Sequence, residues 1–283
     1  MAFAFHLQKN RLEILNQTKQ STMKSKTLSL LSIVTLTMSI LLSACEKDQP
    51  IPPPVEHTKG IVEIRFVPTM NGAAFQPNVN FTGPNNLKMN LEIFKFYLSD
   101  LQLINSSGNQ ILSEIEFVDL SQSDKSISIE TEPGTFQQLK FFLGVKNALN
   151  GTNDPNFDEA SFPNNHPLSI YNNMYWSWAT GYIFSKIEGK IDTSIAQNQT
   201  PTFTWFYHSG MDTCYTEKNF ENLNIEVNAG KTTVIELGIE VNDIFINQTD
   251  TINMVEDNFT HTTDNIELAR KVIVNLARGI RKL

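Results

Sequence analysis

Leu91-Glu92-Ile93-Phe94-Lys95-Phe96-Tyr97-Leu98-Ser99-Asp100-Leu101-Gln102-Leu103-Ile104 decides the fold class. The segment is apolar and rich in Ile, Phe and Leu. The cluster Asn105-Ser106-Ser107-Gly108-Asn109 follows as a turn, and residues 111–120 return as a second strand. The same pattern extends outward in both directions. Residues 61–67 alternate, with Val62, Ile64 and Phe66 on one face. Pro133-Gly134 turns the chain before a strand over 136–145, and residues 182–187, 202–207, 223–227 and 232–241 add further strands. Short strands divided by polar turns predict an all-β fold, an antiparallel β-sandwich with long loops, and not βαβ units. One segment has a different period. Asp264-Asn265-Ile266-Glu267 resembles a capping box, and Ile266, Ala269, Ile273, Leu276, Ala277 and Ile280 then recur at helical spacing. A helix over 264–280 is expected to close over the sandwich.

The front of the chain is an address. Met23-Lys24-Ser25-Lys26 is basic, residues 28–42 carry no charge, and Leu42-Ser43-Ala44-Cys45 follows. This order defines a secretory signal, and its apolar run is shorter than the roughly 20 residues of a spanning helix. Leu42-Ser43-Ala44-Cys45 resembles the lipobox of bacterial lipoproteins. The resemblance implies cleavage before Cys45, a diacylglycerol on its sulfur and acylation of its amine. Buried acyl chains would then hold the protein to a membrane that it does not cross. Residues 1–22 lack an apolar core, so Met23 is the natural start of the signal within a 1–44 leader. Residues 45–59 form a tether with Pro50, Pro52, Pro53 and Pro54, a composition that stays extended. Charged residues directly after Cys45 resemble the surface-export signals of Bacteroidetes lipoproteins. The expected location is the cell envelope, on the outer membrane, facing the periplasm or the cell surface. The domain itself spans 60–283.

The leader holds five basic residues and one acidic residue, so its removal takes the formal charge from −8 to −12. An acidic domain lacks the basic footprint that nucleic acid requires. No phosphate loop, dinucleotide fingerprint, HExxH or GxSxG occurs. The expectation is a binding protein, not an enzyme. With Cys45 lipidated, Cys214 is the remaining thiol, and burial is the usual state of a single cysteine. Residues 147–173 form a long loop with little regular pattern, and such loops are commonly functional. Asp154, Asp158 and Glu159 in it offer the oxygen ligands calcium prefers, without EF-hand spacing.

Met174-Tyr175-Trp176-Ser177-Trp178-Ala179-Thr180-Gly181-Tyr182 is the most distinctive string. Read as a strand, it places Trp176 and Trp178 on one face and Tyr175 on the other. Core packing, a sugar-stacking platform and a redox-tuned site are all open to such a string. Followed by Lys186-Ile187-Glu188-Gly189, it resembles the signature of the methanobactin-associated, MbnP-like copper-binding proteins. Phe94 to Leu103, Phe141-Phe142-Leu143-Gly144-Val145 and Phe206-Tyr207-His208-Ser209-Gly210 resemble further family segments in the same order. The resemblance covers residues 60–280. It implies a β-sandwich that binds copper outside the cytoplasm. It also implies a tryptophan oxidised to kynurenine by a di-haem, cytochrome c peroxidase-like partner, with histidines and that ring holding Cu(I). Imidazole and soft sulfur suit copper.

This chain departs from the family pattern. Asn150-Gly151 stands where the family often has Asn-His, and no second cysteine is present to pair with Cys214. His57 lies in the tether. His208, with His166 or His261, is the expected ligand set, Met211 is a candidate soft ligand, and Trp176 or Trp178 is the residue to be modified. The competing expectation is a surface interaction module that binds a glycan or an envelope protein through the aromatic loop.

Overall fold

The computed structural model describes residues 58–122, 126–151, 154, 156–176, 181–247 and 250–283. Its strands, in chain order, begin with β1 (Gly60–Met70), β2 (Ala73–Ala74), β3 (Phe81–Thr82), β4 (Lys88–Asn105), β5 (Gly108–Asp119) and β6 (Ser126–Thr131). β7 (Gly134–Phe136), β8 (Gln138–Leu143), the short helix α1 (Asn147–Asn150), β9 (Ile183–Ile191), β10 (Phe203–Gly210) and β11 (Thr216–Phe220) follow. The last elements are β12 (Ile225–Val227), β13 (Thr232–Glu240), β14 (Ile246–Asn247), β15 (Asp250–Thr251), β16 (Phe259–Thr260), helix α2 (Ile266–Gly279) and β17 (Ile280–Lys282).

Two sheets form the sandwich. One runs β17-β13-β1-β2, with β6 also on β1. The other runs β11-β8-β4-β9-β10-β16, with β3 and β5 also on β4. The expected alternation in β1 holds: Val62, Ile64 and Phe66 are all buried. Phe66 meets Phe96 of β4 edge-on at 5.6 Å across the two sheets. Burial of each such side chain contributes about 1.5–3 kcal/mol before entropy is counted. The central strand is β4. Its first part pairs with β9, and its second part lies between β5 and β8. The register shifts between Leu101 and Gln102 against β5 and between Ser99 and Gln102 against β8, and Asp100 in this stretch has a left-handed φ of 50°. Asp tolerates this backbone better than most residues. The β4–β5 connection is a two-residue turn, because Asn105 pairs with Gly108. Asn105 Oδ1 accepts the Ser107 N–H at 2.8 Å.

The sandwich is mixed, not wholly antiparallel. β1 runs parallel to β13 over nine register pairs, and β10 runs parallel to β16. Parallel pairing needs a long connection, and the chain between β1 and β13 supplies one that contributes most strands of the other sheet.

Helix α2 closes one end of the core. Ala269, Val272, Ile273 and Leu276 are buried, and Ser209 Oγ of β10 donates to the Ala269 carbonyl at 2.6 Å. Two details of the expected helix change. The N-cap is Asn265, whose side chain accepts the Leu268 N–H. Asp264 instead bonds back to Thr260 and His261, so the cap moves one residue on. Ile266 in the first turn is 40% exposed and lies off the buried face. Ile280 has left the helix and is paired in β17.

Candidate metal centre

Phe94 and Phe96 of β4 are in the core, so Lys95 between them faces outward. Lys95 is in register with Lys186 of β9, and Lys186 with His208 of β10. The adjacent row sets Glu188 opposite Phe206, and Phe206 opposite Phe259 of β16. His261 lies two residues beyond Phe259. Strand periodicity therefore brings Lys186, Glu188, Phe206, His208, Phe259 and His261 to one outer face.

Two imidazoles meet there. The His208 and His261 ring centroids are 5.4 Å apart and tilted by 73°. Phe206 packs on both, at 5.3 Å and 4.9 Å. Each ring is held by a carboxylate. His208 Nε2 lies 2.8 Å from Glu188 Oε1, and His261 Nδ1 lies 3.0 Å from Asp264 Oδ2. Asp264 is itself fixed by the His261 N–H and the Thr260 hydroxyl. Thr262, at φ 73°, donates its hydroxyl to the His208 carbonyl at 2.7 Å. A β-branched residue in this region costs about 1–3 kcal/mol, so the packing around the turn holds it there.

The electrostatics agree with a neutral His208 beside an ionised Glu188. Burial pushes the His208 pKa down, and the charges of Lys186 and His261 push the same way against Glu188. Burial would raise the Glu188 carboxyl, but the hydrogen bond from His208 and the Lys186 charge outweigh it and hold the pKa low. Asp264 is also held low: burial opposes ionisation, and hydrogen bonds from His261 and Thr260 prevail. A neutral His208 donating Nε2–H to Glu188 leaves Nδ1 with its lone pair. That atom is buried and has no hydrogen-bond partner among the described residues. Buried polar atoms are normally satisfied; Nδ1 is one of several among the described residues that are not, and its ring is the one that faces a second imidazole.

Trp176 lies close by. A β-carbon on Gly210 would fall 2.5 Å from Trp176 Cζ3, so the indole rests on the backbone two residues past His208. Trp176 is only 7% exposed. The string around it is not a single strand. Trp176 N–H donates to the Gly181 carbonyl and Ile183 N–H to the Met174 carbonyl, so 174–176 folds back on 181–183 through the Tyr175–Tyr182 bridge. Trp178 lies outside the described residues, as do Cys45 and His57.

The other candidates go elsewhere. His166 stacks on Phe162 at 4.5 Å, and its Nδ1 accepts the Leu168 N–H at 3.0 Å. Met211 is 43% exposed at φ 64°, just past Gly210. Cys214 is a buried free thiol whose pKa is raised by that burial. Asp154 and Asp158 each accept a nearby backbone N–H, from Asn156 and Ala160. Among the described residues no three His, Cys, Asp or Glu side chains gather into a metal-binding group, so the calcium expectation gains no cluster here. Sequence reasoning missed Glu188 and Asp264 as partners. Two-residue spacing puts Glu188 on the Lys186 face, but only register reveals that it meets His208.

The family model for MbnP matches residues 59–265. The chain belongs to the MbnP family. Its role is therefore copper-associated at the coarse level of the family. A solved structure, MbnP from Methylosinus trichosporium, is similar at 14% identity and a TM-score of 0.44. That match covers 68% of this chain and 79% of the other. No curated protein sequence matches significantly.

Proposed function

We propose that this MbnP-family chain binds Cu(I) between His208 Nδ1 and His261 Nε2. One observation carries the proposal: two neighbouring imidazoles are each oriented by a carboxylate, and one of them presents a buried nitrogen without a partner. Metal-ligating histidines characteristically donate their other N–H to a carboxylate, which fixes the tautomer and raises ligand basicity. Nitrogens sharing one ion at roughly 2 Å must lie about 4 Å apart, which rings at 5.4 Å between centroids can reach. Imidazole nitrogens suit copper. Bound Cu(I) would be cargo or a resident ion in a binding protein, not the centre of a catalyst.

Trp176 rests on Gly210, two residues past His208, and is the candidate tryptophan that the described residues support. Its oxidation to kynurenine by a di-haem partner would add a carbonyl oxygen near the pair. Burial of Trp176 argues against use of that ring as a sugar-stacking platform. The lipobox string ending at Cys45 supports an envelope location, anchored through lipid on the outer membrane.

The test is metal content after Cu(I) loading of the secreted protein. The parent is expected to retain one equivalent, His208→Ala and His261→Ala to lose it, and His166→Ala to keep it. A parent without copper, or copper kept by both the His208 and His261 variants, contradicts the proposal. Intact mass reports separately on oxygen added to a tryptophan.

A further inference from the structure

Glu188 Oε1 serves two donors. It accepts His208 Nε2 at 2.8 Å and lies 3.4 Å from Lys186 Nζ. The same ammonium reaches the Asn173 carbonyl at 3.4 Å. Asn173 ends the long loop in a left-handed turn, and the Trp176 hairpin starts immediately after it. The Trp176 indole then returns to Gly210, next but one to His208. These contacts close a ring running from His208 through Glu188, Lys186, Asn173 and Trp176 back to β10.

Lys95 is the register neighbour of Lys186 and grips the adjacent carbonyl, Asn172, at 3.2 Å. Its counter-charge is Asp119 of β5 at 3.5 Å, away from the histidines. Two lysines thus hold consecutive carbonyls of the loop, and Lys186 alone of the two also bears on the carboxylate that orients His208.

We infer that Lys186 is a positioning residue that couples the seat of the Trp176 hairpin to the orientation of His208. The role matters for copper only if the copper proposal holds, but the coupling belongs to the metal-free protein. Lys186 shares Glu188 Oε1, so it tempers the hydrogen bond that His208 makes. It also fixes the loop, so the indole and the imidazole keep one relative placement. Displacement of the hairpin would free the ammonium to shift on Glu188, and His208 would respond.

The experiment is NMR of the full metal-free protein at pH 7, reading two signals: the His208 Nε2–H resonance and amide exchange at Trp176 and Ile183. Lys186→Met is expected to move the His208 proton downfield, because its acceptor loses a competing cation. It should also speed exchange at both amides by roughly threefold to tenfold, the loss of one modest charge-assisted hydrogen bond. Lys95→Met is expected to speed exchange and leave the His208 signal in place. Lys186→Arg should restore both signals towards the parent. If Lys186→Met does not fold, Lys186→Gln carries the same expectations. A His208 signal unmoved by loss of Lys186, or moved equally by Lys95→Met, overturns the inference. Both signals are read without metal, so a parent that takes up no copper would overturn the copper proposal alone.

Discussion

Single residues decide whether the two imidazoles meet. Gly210 is one of them, because any β-carbon there would enter the Trp176 ring and approach the Tyr182 carbonyl at 3.0 Å. Gly210→Ala should destabilise the fold by about 1–3 kcal/mol through overpacking and should displace the indole, seen as a lower denaturation midpoint with altered tryptophan fluorescence. Thr262 is another. Thr262→Val keeps the shape and removes the hydroxyl that bonds the His208 carbonyl. The expected loss is about 1–3 kcal/mol, the cost of a buried acceptor left unpaired, measurable by urea unfolding. At this scale the sequence was partly legible. His208 and His261 stood out because histidine is the commonest metal-ligating side chain. His166 stood out equally, and only the folded loop shows its ring committed to Phe162 and Leu168. Glu188 was hidden, since a glutamate on a strand looks like any solvated charge until the register of β9 and β10 is known.

Elements were the most legible scale. Alternation located β1, a long apolar run before a turn cluster located β4, and helical spacing located α2. Boundaries moved where local chemistry competed, as at Asp264, which left the cap to bond Thr260 and His261. Asn265→Ala should therefore cost about 1 kcal/mol, the usual effect of losing a side-chain N-cap, whereas Asp264→Ala should also release His261. Thermal melts and His261 ring shifts separate the two. The loop after β9 offers a test by pH. Asp192 is 3% exposed, and its carboxylate accepts the Ser194 and Gln199 N–H groups. Burial opposes its ionisation, but those bonds prevail and lower its pKa. A lowered folded-state pKa gives stability that is present above the unfolded value of about 3.9 and is lost as pH falls through the folded value. The melting temperature of Asp192→Asn should consequently fall less steeply below pH 4 than that of the parent. Equal slopes would show that Asp192 contributes nothing in that window.

At the level of the whole molecule, the MbnP-family domain is a two-sheet sandwich. Strand content and turn spacing announced the sandwich, but strand direction did not follow from them. The parallel pairing of β1 with β13 joins segments separated by most of the domain, which no local pattern encodes. The Trp176 hairpin was misread for a related reason: alternation alone does not distinguish one extended strand from two that fold back. If Cys45 carries the anchor, Cys45→Ser should move the protein from the membrane fraction to the soluble fraction, because buried acyl CH2 groups supply the attachment. X-ray absorption at the copper edge of the Cu(I)-loaded protein reports on the ligands of the His208–His261 pair. Two imidazole nitrogens are expected at roughly 2 Å, with one lost in His261→Ala. A spectrum dominated by sulfur, or unchanged in His261→Ala, would contradict the pair as the copper site.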